Sequence, residues 1–375
     1  MALSLRMIVA GGGTGGHVFP GIALAEAFLS LCPGGAVSFV GTEGGLEARA
    51  VPARGFPIDF VPSGQVRGKG IGALPGVYRM ALGIPAAAAV LRRRRPDLVF
   101  GVGGYASVPV ALSAGLLRIP LFLQEQNSVP GRSNRFLARG AVRVFAGFSA
   151  AASFFPPGKV EVTGNPVREE IVSAARVHGG EWPAERPLVV LALGGSQGAR
   201  AINTRVLGMA RRAKREGAAI RFLLQTGTRE HAAVERAVRE EALPVDSFPF
   251  TDRMGDWFPR CHAVLMRAGA LSIAEAALFG RPCVLVPYPF AADDHQAVNA
   301  REFCASGAGT WFAEGEATEE ALWSALWNLG GDRAARERAG AAAVSFSRPG
   351  AALESIRTAL RLTGNVPREG GAPNV

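Results

Sequence analysis

At 375 residues and 48% hydrophobic, the chain is long enough to bury sizeable cores in two domains, which excludes a disordered or fibrous protein. Its formal charge of +10 suits nucleic acid, an anionic membrane surface or phosphorylated substrates without choosing among them, and the excess is almost all arginine, as GC-rich coding would also give, with lysine only at Lys69, Lys159 and Lys214. The four cysteines, Cys32, Cys261, Cys283 and Cys304, are scattered without CxxC or Cys/His spacing, so neither a disulfide framework nor structural zinc is indicated, and a reducing cytoplasm fits.

Strand-like and helix-like segments alternate along the chain, the pattern of parallel sheets wound with helices. In the first half, strands are predicted near 6–10, 36–40, 57–61, 98–102, 120–124 and 142–146, with helices near 17–30, 74–94, 107–117 and 131–139. The early apolar residues soon meet a glycine turn, so no signal peptide is expected. Residues 98–117 carry no charge and are just long enough to span a bilayer, but Gly101, Gly103, Gly104, Ser107 and Pro109 divide them into a strand, a loop and a short helix of buried core. A junction falls near Gly164-Asn165-Pro166-Val167-Arg168, where proline ends regular structure. In the second half, strands near 187–193, 219–225, 246–250, 262–266, 282–286 and 308–312 alternate with helices near 199–215, 229–241, 271–279, 294–306 and 317–329. The fold class is therefore α/β, two Rossmann-like domains facing across a cleft, with a disordered tail at 364–375.

Each half opens on a glycine-rich turn between a strand and a helix: Gly11-Gly12-Gly13-Thr14-Gly15-Gly16-His17 in the first, Gly194-Gly195-Ser196-Gln197-Gly198-Ala199 in the second. Glycine allows a sharp turn and close approach to a ligand, and the helix that follows favours an anion with its free N–H groups and dipole. The first turn matches Gly-x-Gly-x-x-Gly, the dinucleotide fingerprint, whose acidic partner would be Glu43; a tight packing turn is the other reading. His17 adds a titratable group beside it. Ser196 and Gln197 add a hydroxyl and an amide to what resembles a diphosphate cradle, or again a packing turn.

Arg267-Ala268-Gly269-Ala270-Leu271-Ser272-Ile273-Ala274-Glu275 sets another glycine turn before a helix, where Glu275 could accept both ribose hydroxyls or be an ordinary acid near a helix start. Asp293-Asp294-His295-Gln296 opens a further helix: the aspartates could simply cap it, while His295 and Gln296 offer sugar-compatible groups. Gly103-Gly104-Tyr105 and Gln124-Glu125-Gln126-Asn127 each follow an apolar strand and would reach the same crevice as His17. Between Gly64 and Arg95, the cations Arg67, Lys69, Arg79 and Arg92 to Arg95 flank Ile71, Leu74, Val77, Met80, Leu82 and Ile84: an interfacial patch for anionic lipid, or a core-packed helix with a solvated arginine end.

Taken together, GGGTGGHVFPG, GGY, EQN, GNPVR, GGSQGA, RAGAL and DDHQ, in this order over roughly residues 5–360, resemble the MurG family of UDP-N-acetylglucosamine:N-acetylmuramyl-(pentapeptide) pyrophosphoryl-undecaprenol N-acetylglucosamine transferases. The resemblance implies a GT-B fold, with residues 1–165 an acceptor and membrane-facing domain, 166–346 a UDP-GlcNAc domain, and a final helix at 347–363 crossing back to the first. It implies inverting transfer of GlcNAc from UDP-GlcNAc to the C4 hydroxyl of the MurNAc of lipid I, giving lipid II. No cofactor, metal or nucleic acid is implied, and the expected location is the cytoplasmic face of the plasma membrane, held peripherally. By the same resemblance Ser196, Gln197 and nearby backbone hold the diphosphate, with Arg168 close to the phosphates or sugar. Glu275 takes the ribose, Leu271 and Ser272 line the nucleotide site, and His295 and Gln296 bind GlcNAc. Thr14, Gly15, Gly16, His17, Tyr105 and Asn127 face the acceptor, with His17 the first choice of base and Glu125 the second. Gln124 stands where the family often has His, and Ala268 where it often has Ser.

Overall fold

The computed structural model describes residues 4–64, 74–194 and 198–365. The chain divides into two units, residues 1–168 with 349–375, and residues 169–348.

The first unit is built on seven parallel strands: β1 (Arg6–Ala10), β2 (Ala36–Gly41), β3 (Ile58–Phe60), β4 (Leu98–Gly101), β5 (Leu121–Glu125), β6 (Arg143–Ala146) and β7 (Val160–Val162). Their order is β3-β2-β1-β4-β5-β6-β7. The central strands are apolar at nearly every position because helices cover both faces of a parallel sheet. Among the described residues five α-helices lie between them: α1 (Gly15–Leu31), α2 (Glu47–Ala50), α3 (Leu74–Arg94), α4 (Ser107–Leu116) and α5 (Arg132–Leu137). Met7, Val9, Phe100, Phe122 and Phe145 pack on one face against Val18, Ile22 and Phe28 of α1. Alternate residues Ile8, Val99, Leu121, Leu123 and Val144 pack on the other against α3, α4 and α5. Residues 98–117 are indeed divided, into β4, a turn and α4. Among the described residues no helix is long and apolar enough to cross a membrane.

The second unit opens with α6 (Glu169–His178), followed by β8 (Leu188–Leu193), α7 (Arg200–Glu216), β9 (Ile220–Gln225), α8 (His231–Glu240), β10 (Val245–Phe248), β11 (Ala263–Met266), α9 (Ala270–Leu278), β12 (Cys283–Leu285), α10 (His295–Ala305), β13 (Gly309–Trp311), α11 (Glu319–Leu326) and α12 (Arg333–Phe346). Its six strands are parallel in the order β10-β9-β8-β11-β12-β13. Leu188, Val190, Phe222, Leu224 and Leu265 form its core with Val206 and Met209 of α7 and Leu322 of α11.

The last helix, α13 (Ala351–Leu362), returns to the first unit. Ile356 and Leu360 enter the core beside α1, Ser355 Oγ lies 3.0 Å from Thr163 Oγ1, and Thr358 Oγ1 donates to Glu161 Oε1 at 3.0 Å. The structure adds β7, α2, α6 and α12 to the predicted elements and shortens the helix expected at 317–329, whose α-helical part ends at Leu326 before a wider turn at Trp327–Gly331. The tail expected to be disordered falls, from residue 366 on, outside the described residues.

Candidate active site

In both sheets the strand order reverses beside the first strand, between β1 and β4 and between β8 and β11. Loops leaving the carboxyl ends of those strands part there, which makes the crevice where ligands bind in open α/β sheets.

In the first unit the glycine turn after β1 meshes with the loop after β4. Gly12 N donates to Gly103 O at 3.3 Å, and a Cβ on Gly104 would stand 2.4 Å from Gly12 O, so this approach requires glycine. The loop after β5 joins them, since Gln126 Nε2 donates to Val102 O at 3.0 Å. His17, half-buried in the first turn of α1, points Nδ1 at Gly12 O, 3.2 Å away. Thr14 and Gly16 are exposed, Gly15 is half-buried, and Tyr105 is exposed over the same end of the sheet. A cavity of about 390 Å³ opens there, lined by Gly13, Thr42, Gly44, Gly45, Ser63 and Tyr105 among others.

Glu125 ends β5 and is 2% exposed. Its carboxylate accepts from Asn134 Nδ2 at 2.9 Å, Asn127 N at 3.0 Å and Gly131 N at 3.2 Å. Burial pushes its pKa up, against the pull of those donors. Asn127 remains half-buried beside it. Arg168 is 3% exposed, with its guanidinium 4.5 Å above the Phe19 ring of α1.

The acid that answers the first glycine turn is Glu47. Glu43 is exposed, whereas the buried Glu47 carboxylate accepts from Gly13 N at 2.7 Å. A backbone donor that a dinucleotide phosphate would need is thus already engaged. Sequence reasoning missed Glu47 because the fingerprint looks for an acid at the strand end, and this one comes from α2, a single short turn.

In the second unit α7 follows β8 and its N-cap Ala199 has no capping side chain, and the turn after β11 leads into α9, capped by Gly269 alone. Two helix amino termini without side-chain caps therefore flank one switch point. Leu271, Ser272 and Glu275 lie half-buried along the first turns of α9. Asn299 on α10 donates to Ala268 O at 3.2 Å and braces that turn. His295 directs Nδ1 to Ala292 O at 2.8 Å, and Gln296 Oε1 accepts from Tyr288 N at 2.9 Å. Neither Asp293 nor Asp294 caps α10 through a side chain; both hold left-handed backbone, at φ 50° and 53°. Arg267, a residue to which the sequence assigned no task, ties the strand ends together: Nη1 donates to Val286 O and Pro287 O, both at 3.1 Å, and Nη2 pairs with Glu314 at 2.5 Å. Ser196 and Gln197 lie outside the described residues.

Residues 7–146 match the glycosyltransferase family 28 N-terminal domain, and residues 189–352 match the family 28 C-terminal domain. The chain belongs to glycosyltransferase family 28. Among curated members it is 40% identical over 367 residues to the UDP-N-acetylglucosamine–N-acetylmuramyl-(pentapeptide) pyrophosphoryl-undecaprenol N-acetylglucosamine transferase of Pelobacter propionicus, covering 93% of this chain and 97% of the relative. It is 41% identical over 370 residues to the enzyme of the same name from Anaeromyxobacter dehalogenans strain 2CP-C, covering 98% and 95%. The crystal structure of Acinetobacter baumannii MurG superposes with a TM-score of 0.76 at 27% identity, over 95% of this chain and 99% of that one. The family 28 fold is GT-B, with both parallel-sheet domains present in this chain, and the protein is a glycosyltransferase.

Proposed function

We propose that the protein transfers GlcNAc from UDP-GlcNAc to the C4 hydroxyl of the MurNAc of lipid I, with inversion at the anomeric carbon, to give lipid II. The observation that carries this reading is identity near 40% to enzymes of that name over nearly the whole of both chains. In our reading residues 1–165 with the last helix take the acceptor, and residues 166–346 take the donor.

The chemistry then follows from charge. As the bond between the anomeric carbon and the diphosphate breaks, positive charge grows on the sugar and negative charge on UDP. The amino termini of α7 and α9 face the leaving diphosphate, with Ser196, Gln197 and Arg168 adding donors, and stabilise it where its charge develops. Glu275 accepts the ribose hydroxyls, Leu271 and Ser272 line the nucleotide, and His295 and Gln296 hold the GlcNAc. On the acceptor side His17 takes the C4 proton as that oxygen attacks, while Thr14, Tyr105 and Asn127 orient the muramyl sugar.

We further propose that the protein sits peripherally on the cytoplasmic face of the plasma membrane through α3. Tyr78, Leu82, Pro85 and Ala89 are exposed at spacings of four, three and four, which aligns them on one helix face beside Arg79. Arg67, Lys69 and Ile71 of the expected patch, and the side chains of Leu74 and Val77, lie outside the described residues.

The decisive experiment supplies labelled UDP-GlcNAc and a lipid I analogue to the purified protein. Label should pass to the analogue with inversion. Release of free GlcNAc, or label on another acceptor only, would overturn the assignment.

A further inference from the structure

We propose that Glu47 is a positioning residue that sets the tautomer of His17 through the Gly12–Gly13 peptide group. The inference rests on His17 being the base of the transfer reaction.

Glu47 is 1% exposed and would be costly to bury without partners. It has them: Oε2 accepts from Gly13 N at 2.7 Å, and Oε1 accepts from Thr42 N at 2.9 Å and from Thr42 Oγ1 at 2.8 Å. The two glycine loops are moulded around it. A Cβ on Gly12 would come within 2.1 Å of the carboxyl carbon, and one on Gly45 within 2.0 Å of Oε2. The position of the carboxylate is therefore fixed from both loops.

Gly13 N and Gly12 O are the two ends of one peptide group. By holding the N–H, Glu47 turns the carbonyl away from itself and towards the ring of His17, whose Nδ1 stands 3.2 Å from Gly12 O. A carbonyl oxygen only accepts, so Nδ1 must carry the proton, and in the neutral ring the lone pair is then on Nε2. The order is carboxylate, peptide N–H, peptide carbonyl, imidazole N–H. Each link polarises the next, and the negative charge at one end strengthens the acceptor seen by the ring at the other. A base is useful only if its basic nitrogen is the one aimed at the substrate, and a second group that fixes the tautomer is how imidazoles are held to that task. On the other side of the ring a Cβ on Gly103 would lie 2.8 Å from Cδ2 and 3.0 Å from Nε2, so glycine at 103 leaves the space that the ring occupies.

The test compares the parental full-length protein with Glu47→Gln and Thr42→Val. An amide at position 47 keeps one acceptor and sets an NH₂ against the other donor, so the peptide loses its fixed orientation. Thr42→Val removes one donor and leaves the charge. Nitrogen-15 spectra report which imidazole nitrogen carries the proton, and His17 is picked out of the five histidines by difference from His17→Gln. The parent should show His17 protonated on Nδ1, and Glu47→Gln should show a mixture of tautomers. With it kcat should fall about 10- to 100-fold, as for other groups that orient a ligand or base, while KM for UDP-GlcNAc holds. Thr42→Val should change both in the same direction and by less; if Glu47→Gln does not fold, Thr42→Val decides by the same readouts. A folded variant in which His17 stays protonated on Nδ1 overturns the proposal. A tautomer shift together with parental turnover in His17→Ala upholds the coupling and overturns only the choice of base.

Discussion

Glu125 and His17 compete for one task, and their surroundings separate them. Both oxygens of Glu125 accept hydrogen bonds, from Asn127, Gly131 and Asn134, and its burial leaves almost no surface for a sugar hydroxyl to reach. The raised pKa would suit a base, but these donors must be stripped before it can take a proton. Their common effect is to hold the loop after β5 in shape. His17 is half-buried at the start of α1, with one nitrogen tied to a carbonyl. We therefore expect His17→Ala to cut turnover by about 10²- to 10⁴-fold with UDP-GlcNAc affinity nearly intact. Steady-state rates and donor titration on the same preparation check this. Loss of activity only through weaker donor binding would remove His17 from the chemistry and leave Glu125 as the group to examine. The sequence could single out both residues because polar groups at strand ends are few. It could not rank them, because the ranking lies in donors that come from α5 and from backbone.

Elements differ in how plainly they show. Central strands such as β1 and β8 were legible because burial on both faces gives an apolar run, and α7 because a long amphipathic helix repeats its pattern several times. Strand β7 is Val160–Val162, with Glu161 between its two valines and no apolar run, and α2 has four residues, too few for a helical repeat. Helix α6 begins three residues after Pro166 in a stretch read as a junction, and α12, rich in alanine, has little contrast between its faces. Helix α3 shows a different limit. Its pattern announced an amphipathic surface but not which end matters. At 21 residues it is about 31 Å long, so Arg92, Arg93 and Arg94 stand far from Tyr78. Arg93 and Arg94 are also paired with Asp59 on β3, each at 2.7 Å. Their end of α3 leads into the amino end of β4, away from the glycine turns. If α3 meets lipid, the Tyr78–Leu82 face should carry the binding, because burying each such side chain is worth about 1.5–3 kcal/mol against about 1 kcal/mol for an unpaired cation at an anionic surface. Tyr78→Ser with Leu82→Ser should lower sedimentation with anionic vesicles by more than Arg92→Gln with Arg93→Gln. Transfer to a water-soluble acceptor should stay near parental in both. Unchanged sedimentation of the Tyr78/Leu82 variant would leave α3 as an ordinary surface helix.

Each unit has its own sheet, its own core and its own switch point, so a ligand held by one should stabilise that one first. Binding to a native unit raises its stability by RT ln(1 + [L]/Kd), about 2.7 kcal/mol at a hundredfold excess over Kd. Amides that exchange only when their whole unit opens should then slow by about 100-fold. With UDP alone, we expect this slowing in residues 169–348, strongest in β8, β11 and the helices that follow them. Amides of β1, β4, β5 and α13 should slow far less, since of the first unit only Arg168 is assigned to the diphosphate and the Gly13 N–H in the other glycine turn is already bound to Glu47. The Glu275→Ala variant carries the argument to the ribose: it should need more UDP for the same protection, and a donor lacking ribose hydroxyls should lose less affinity in the variant than in the parent. Hydrogen exchange read by mass spectrometry checks both. Protection that falls instead in residues 4–64 would place the nucleotide at the turn after β1 and exchange the roles of the two units.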